Sequence, residues 1–185
     1  MSNARILADL MGTSTTIPSG KVVSASLPSG SVLQVVQATK DDTFFTQSTS
    51  PVDVTGLSAS ITPSSTSNKI LVSVSIAYGG DINLYATGYI LRGSTEIGNG
   101  AASSNRTNCA FSMMHANAGS EVYKVRTLMH HYLDSPATTS ATTYKIQVAS
   151  EVGSRNLYIN RSNQDDDADY GVRPISVLTL MEIAG

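Results

Sequence analysis

A single cysteine, Cys109, rules out any disulfide within this 185-residue chain. Stability must come from packing or from association with other subunits. Charge is equally scarce. Charged residues make up 14% of the sequence, well below the roughly one quarter of an ordinary domain. With 12 Lys and Arg, no basic block and a net charge of -2, the chain lacks the dense cationic footprint that phosphate contacts require, which argues against a nucleic-acid partner. No apolar run approaches the ~20 residues of a membrane-spanning helix, so no membrane insertion is expected. The first eleven residues lack the apolar centre of a secretory signal, and Asp9 interrupts them. The expectation is a protein folded in a reducing cytosol, where the two N-glycosylation patterns, Asn105-Arg106-Thr107 and Asn160-Arg161-Ser162, are chance matches.

Ser and Thr fill the space that charge leaves, at roughly a quarter of the chain against an average composition. A sequence spent on hydroxyl and β-branched residues builds a surface rather than a reactive centre. The first such region runs from Gly30 to Pro63. Before it, Ile6, Leu7, Leu10 and Met11 recur at i, i+1, i+4, i+5 spacing, Ser2 or Asn3 can cap, and Gly12 sits where a helix ends. This predicts a short helix over 3–11. Two turns do not sustain themselves in water, because nucleation costs more than so few hydrogen bonds return. Its apolar side must rest on its own domain, on copies of itself or on a partner. Residues 13–29, with Thr/Ser runs, Pro18, Gly20 and Pro28, read as a linker. The expected organisation is an attachment helix and linker over 1–29 and one β domain over 30–185.

Beyond Ser31 the periodicity is two. Ile70, Val72, Val74, Ile76 and Tyr78 share one face of a strand that should turn at Gly79-Gly80-Asp81. Strands follow over 84–91 and 95–97, from Cys109 to His115, over 121–133, around Tyr144, Ile146 and Val148, at 157–159 and over 175–183. Pro174 heads the last of these, where its missing N–H does least harm. Some nine or ten short strands separated by Gly, Ser and Asn turns predict an all-β antiparallel sandwich of jelly-roll type. The last strand is apolar on both sides, with Ile175, Val177 and Ile183 opposite Leu178 and Leu180. A strand of this kind is buried on both faces, either as a central strand or with Leu178 and Leu180 at a subunit interface of a symmetric trimer or dimer.

Residues with chemistry to offer are few. His130 and His131 are adjacent on a strand and point to opposite faces, and no metal-binding spacing joins them to His115. The run Asp165-Asp166-Asp167-Ala168-Asp169 is either a solvated acidic loop or a calcium site without the EF-hand spacing. Cys109 begins an apolar strand and reads as a small buried hydrophobe. Nucleophile elbow, Walker loop and dinucleotide fingerprint are all missing, so no catalytic residue, metal ligand or cofactor is assigned. Glu121, Asp134, Glu151 and Glu182 are the main strand carboxylates from which a glycoside-hydrolase pair would have to be drawn. Tyr85, Tyr89, Tyr123, Tyr132 and Tyr170 are either half-buried strand tyrosines or stacking platforms for sugar rings.

Several segments resemble a domain of structural proteins from tailed bacteriophages: Leu33 to Thr39, Asp42-Thr43-Phe44, Val52 to Pro63, Ser67 to Val72 and the ending Ser176 to Ile183. The opening Ala4 to Leu10 is similar to the start of many phage fibre-like proteins. The resemblance implies a virion protein, assembled in the host cytoplasm, with a jelly-roll head that is trimeric like heads of the complement C1q and tumour-necrosis-factor type. It implies no catalytic residues. It implies attachment to other virion proteins through the N-terminal segment, with Ile6, Leu7, Leu10 and Met11 as contacts. The expected function is a trimeric fibre tip or short capsid-fibre head at the particle surface, with host-surface polysaccharide as a candidate ligand and its contact residues unassigned. The alternative is a capsid decoration or cement protein that stabilises the shell. A polysaccharide-degrading enzyme is the third reading.

Overall fold

The computed structural model describes residues 27–116 and 119–185. The expected helix, with Ile6, Leu7, Leu10 and Met11, and most of the linker lie outside the described residues. The elements are β1 Val32–Lys40, β2 Phe44–Thr46, β3 Val52–Ile61, β4 Lys69–Gly80, β5 Tyr85–Arg92, β6 Thr95–Ile97, β7 Phe111–Met114, β8 Arg126–Asp134, β9 Thr142–Ser150, β10 Leu157–Ile159 and β11 Ser176–Ile183. A 3-10 turn at Gly119–Tyr123 precedes β8.

Every strand pairing is antiparallel, in two sheets. In the first, β1 pairs β11, β11 pairs β4 and β8 covers the other edge of β4, while β10 and then β2 continue beside the end of β4. In the second, β3 pairs β9 and β9 pairs β5, and β6 and β7 share the far edge of β5. The long strands thus pair from the outside inwards: β1 with β11, β3 with β9, β4 with β8, β5 with β7. A long hairpin rolled so that successive strands alternate between sheets gives this order, which is a jelly roll.

Alternation explains the core. Ile70, Val72, Val74 and Ile76 of β4 are fully buried and meet Ile90, Tyr144, Ile146 and Val148 of the second sheet in one cluster. Each such side chain contributes about 1.5–3 kcal/mol on burial. Two polar clusters close the end of the sandwich where residues 30–31 meet Ala184. In one, buried Asp134 accepts two bonds from Arg92, at 2.8 and 2.9 Å, and one from the Tyr144 hydroxyl at 2.6 Å, so it joins the two sheets. In the other, buried Glu182 accepts from Ser64, Asn68 and Gln34.

Three local expectations are revised. Strand β4 continues through Gly79 and Gly80 instead of turning there, because β10 pairs with both. A Cβ on Gly79 would stand 2.9 Å from the Ser162 backbone, and one on Gly80 2.8 Å from the Asn156 carbonyl, so only glycine lets these segments approach. The segment 121–133 is not one strand. Glu121 turns inward, and the Lys124 amide closes a turn on its carbonyl at 3.0 Å before β8 begins. Finally, Leu178 and Leu180 do not reach a subunit surface. They are fully buried in the core, since β11 is a central strand whose even-numbered residues point inward.

Candidate functional site

The described chain enters and leaves at one end of the sandwich. The Gly30 amide donates to the Ala184 carbonyl at 2.8 Å and the Ala184 amide to Ser31 at 2.9 Å. The opposite, distal end is built by the segments 41–43, 47–51, 81–84, 115–116, 119–125, 151–156 and 160–175, all of which follow or precede strand ends paired near Tyr78–Gly80 or Tyr85. The exposed aromatic side chains Phe45, Tyr85, Tyr123 and Tyr170 all lie there.

These aromatics are ordered by contacts. Phe45 and Tyr158 face each other across the β2–β10 ladder, with ring centroids 5.4 Å apart and planes 28° from parallel. The Arg161 guanidinium lies 4.0 Å over the Tyr158 ring. With Thr43 and Phe44 they line a cleft of about 390 Å³. Tyr123 meets Tyr170 edge to face at 6.1 Å. A second cleft, of about 370 Å³, is lined by Asn83, Tyr85, Met114, His115, Ala116 and Arg126.

The distal carboxylates Asp165 and Glu121 each meet two cations. Asp165 receives Arg161 and Arg173, each at 2.7 Å, and Asp166 accepts from the Tyr170 hydroxyl. The acidic run is therefore partly spent on internal partners. Among the described residues no three His, Cys, Asp or Glu side chains gather as metal ligands. Buried Glu121 accepts from Lys124 and Arg126, each at 2.6 Å. Those bonds hold its carboxyl at about 2, below the usual 4.5. His115 is buried beside it, Nδ1 3.8 Å from the carboxylate, and neither ring nitrogen has a partner among the described residues. Burial, reinforced by Arg126, pushes its pKa below 6.5.

A lowered histidine pKa means that the folded state resists protonation. The stabilisation is complete above the ordinary value and is lost as pH falls through the folded one. The urea midpoint is expected to fall between pH 7 and pH 5. The fall should shrink in His115→Phe, and shrink further when His130, which burial also lowers, is replaced as well. A wild-type midpoint constant over that range would show that these imidazoles are not held neutral by the fold.

The remaining sequence candidates fall in separate places. Tyr85, Tyr123 and Tyr170 are distal and exposed, whereas Tyr89 is buried with Leu91, Ala149 and Cys109, and Tyr132 packs on the core. His130 faces inward beside Phe111 and His131 faces outward, as alternation requires. Asp134 and Glu182 belong to the closing clusters at the opposite end, and exposed Glu151 accepts from Thr87 and Thr107. Burial raises the pKa of the Cys109 thiol. Asn160 of the second glycosylation pattern is fully buried and donates to the carbonyls of Lys40 and Asp42. The cluster of Phe45, Tyr158 and Arg161 is not legible in the sequence because Phe45 lies more than a hundred positions from the other two.

A second surface covers the outward side of the first sheet. Its register aligns Val35, Met181, Leu71 and Leu133 in one row, Gln37, Thr179, Ser73 and His131 in the next, and Thr39, Val177, Ser75 and Met129 in a third. None of these residues is acidic, and Met129 is 71% exposed, Val35 55% and Leu133 47%. The outward side of the second sheet differs sharply. Along β3 and β9 it carries Asp53, Ser58, Ser60, Thr143, Lys145 and Gln147, with Asp53 bonded to Lys145 at 2.9 Å and to Gln147 at 2.6 Å, while towards β5 its Tyr89, Leu91 and Ala149 are buried with Cys109 packed against them.

No protein-family model matches the chain, and no curated protein matches it. Among solved structures it is similar to three from infectious bursal disease virus. The T=1 particles derived from that virus share 14% identity at a TM-score of 0.42, over 82% of this chain and 36% of theirs. The VP2 subviral particle shares 15% at 0.38, over 82% and 38%. The Gx strain shares 13% at 0.38, over 82% and 37%. The chain thus spans little more than a third of those viral chains, and at these scores the likeness says nothing of function.

Proposed function

We propose that the chain is a structural subunit of a tailed-phage particle. In this reading the jelly-roll head self-associates as a trimer through the outward side of the β1–β11–β4–β8 sheet, is attached to other virion proteins by the segment containing Ile6, Leu7, Leu10 and Met11, and projects its distal end as a fibre tip or short capsid fibre. The observation that carries it is the contrast between the two outward sheet faces. A sheet face left to water is ordinarily polar, as the β3–β9 part of the second sheet is. A registered apolar row across four strands with no carboxylate beside it is a surface suited to contact. The sequence resemblance supports the particle as its setting. Gly30 and Ser31 lie beside Ala184 at the end away from the exposed aromatics, which suits attachment at one end and display at the other.

Sedimentation of the full chain at micromolar concentration tests the association. The expected mass is three times the 19.4 kDa of one chain, and the double substitution Val35→Glu, Met181→Glu should reduce it to a single chain that still unfolds cooperatively, with a thermal midpoint lowered by the lost association. A wild-type monomer overturns the trimer. An averaged image of the parent particle tests the setting. Density for the head at the tail or as a projecting capsid fibre supports it, a flat location cementing the capsid shell favours the decoration alternative, and absence from purified particles overturns both.

A further inference from the structure

We infer that the cleft of Thr43, Phe44, Phe45, Tyr158 and Arg161 is a binding subsite for one pyranose ring of a saccharide. The inference deepens the proposed function, since it rests on the distal end facing outward from a particle. Phe45 and Tyr158 are stacked on each other, with centroids 5.4 Å apart and planes 28° from parallel, so Phe45 carries the open aromatic surface of the pair. Phe45 leaves 52% of its surface to solvent on a short edge strand. The pair is held in place: the two residues are register partners, and Arg161 stacks on Tyr158 at 4.0 Å. Arg161 is itself anchored to Asp165 at 2.7 Å. A rigid aromatic surface of this kind loses little side-chain freedom on binding, which lowers the cost of taking a ligand.

The chemistry of the rim selects the ligand class. The face of an aromatic ring is electron-rich, and it attracts the C–H face of a pyranose, whose bonds carry slight positive charge. The sugar hydroxyls then need polar groups at the border, which the Thr43 and Tyr158 hydroxyls and the Arg161 guanidinium supply. Arg161 gives one N–H to Asp165 and one to the Asn163 carbonyl, and the second hydrogens of Nη1 and Nη2 are the donors left for a sugar hydroxyl. Nucleic acid would also stack, but it brings phosphates, and the cations here already have carboxylate partners: Arg161 and Arg173 share Asp165, and Lys40 is paired with Asp42. The cleft volume of about 390 Å³ lies near the lower end of small-ligand sites, roughly 300–1,000 Å³, which fits one ring and not an extended chain.

Saturation-transfer NMR on the full chain tests this with methyl β-D-galactopyranoside, methyl α-D-mannopyranoside and N-acetyl-D-glucosamine as separate probes. Transfer to the ring C–H protons of at least one sugar is expected. It should fall about tenfold, the equivalent of one strong contact, in Phe45→Ala, persist in Phe45→Trp, and remain unchanged in Tyr123→Ala, whose ring is distal but outside the cleft. Thermal midpoints of all three variants verify folding. No transfer to any sugar, transfer undiminished in Phe45→Ala, or loss in Tyr123→Ala alone would each overturn the subsite. So would an oligothymidylate that binds through Phe45 when none of the sugars does. Failure here leaves the sedimentation and particle-imaging results untouched, and failure of those leaves a sugar-binding head, so the two readings fall separately.

Discussion

Truncating Leu180 to alanine is expected to lower the unfolding free energy by about 2–5 kcal/mol, the range for a large aliphatic side chain removed from a packed core. Urea titration of a dilute, dissociated sample reads the change directly. Leu180 is fully buried and lies in the ladder between Val36 of β1 and Val72 of β4, both inward-facing. The cavity left behind opens between two sheets that are each stiffened by hydrogen bonds, so little collapse offsets the loss. A domain of this kind has roughly 5–15 kcal/mol of stability in all, and the variant should stand near the edge of folding. Its neighbour Met181 points the opposite way. Met181→Ala should change the stability of the isolated head by less than about 1 kcal/mol, as half-buried surface positions do, while weakening the association of subunits. If instead Leu180→Ala left stability intact and dissociated the assembly, the assignment of the two faces would be reversed.

Removing the Glu182 carboxylate should be nearly as damaging. One oxygen accepts from the Ser64 amide at 2.6 Å, the Ser64 hydroxyl at 2.8 Å and Asn68 at 2.6 Å, and the other accepts from Gln34 at 2.6 Å. Glu182→Ala leaves these donors facing one another with no acceptor, in a corner that ties β1, β11 and the 62–68 connection together. Buried unsatisfied groups cost about 1–3 kcal/mol each, so a loss of about 3 kcal/mol or more is expected by urea titration. Glu182→Gln preserves shape but turns an N–H₂ group towards donors, and should recover only part of the loss. The pH dependence has a definite sign. Burial by itself would raise the pKa of this carboxyl, but bonds from Asn68, Gln34 and Ser64 outweigh burial and hold it below 4.5. A lowered carboxyl pKa gives stability that is present above the ordinary value and disappears as pH falls through the folded one. The wild type should therefore lose stability on acidification below about pH 4.5 more steeply than Glu182→Gln. Equal slopes would show that this carboxylate is not held ionised by the fold.

Much of the fold is legible along the chain, and the reason is local. Period-two alternation in β4 names Ile70, Val72, Val74 and Ile76 as a buried face without reference to any partner strand, and all four are fully buried. The Arg92-Gly93-Ser94 turn is readable because Gly93 adopts a positive φ of 61°, which few other residues tolerate. The failures are equally specific. Gly79-Gly80 looks like a turn to a local reading, and becomes strand only because β10, nearly eighty positions later, packs against it. Glu121 looks like the first residue of a strand, and turns inward because Lys124 and Arg126 can neutralise it in a buried place.

The sequence by itself determined that this protein is all-β, that no disulfide forms within the chain, where most strands run and which side of β4 is core. These are consequences of composition and of the two-residue repeat, which act within a few positions. Only the tertiary structure decided which side of β11 faces inward, since a strand apolar on both sides has no local signal to break the tie. The tie is broken by pairing to β1 and β4, which lie some 140 and 110 positions earlier and present Val36 and Val72 to the core. The same long-range closure gathered Phe45, Tyr158 and Arg161 at one distal corner and aligned Val35, Met181, Leu71 and Leu133 across four strands. Register between distant strands is fixed by the fit of whole sheets against each other, and no short window of sequence carries that information.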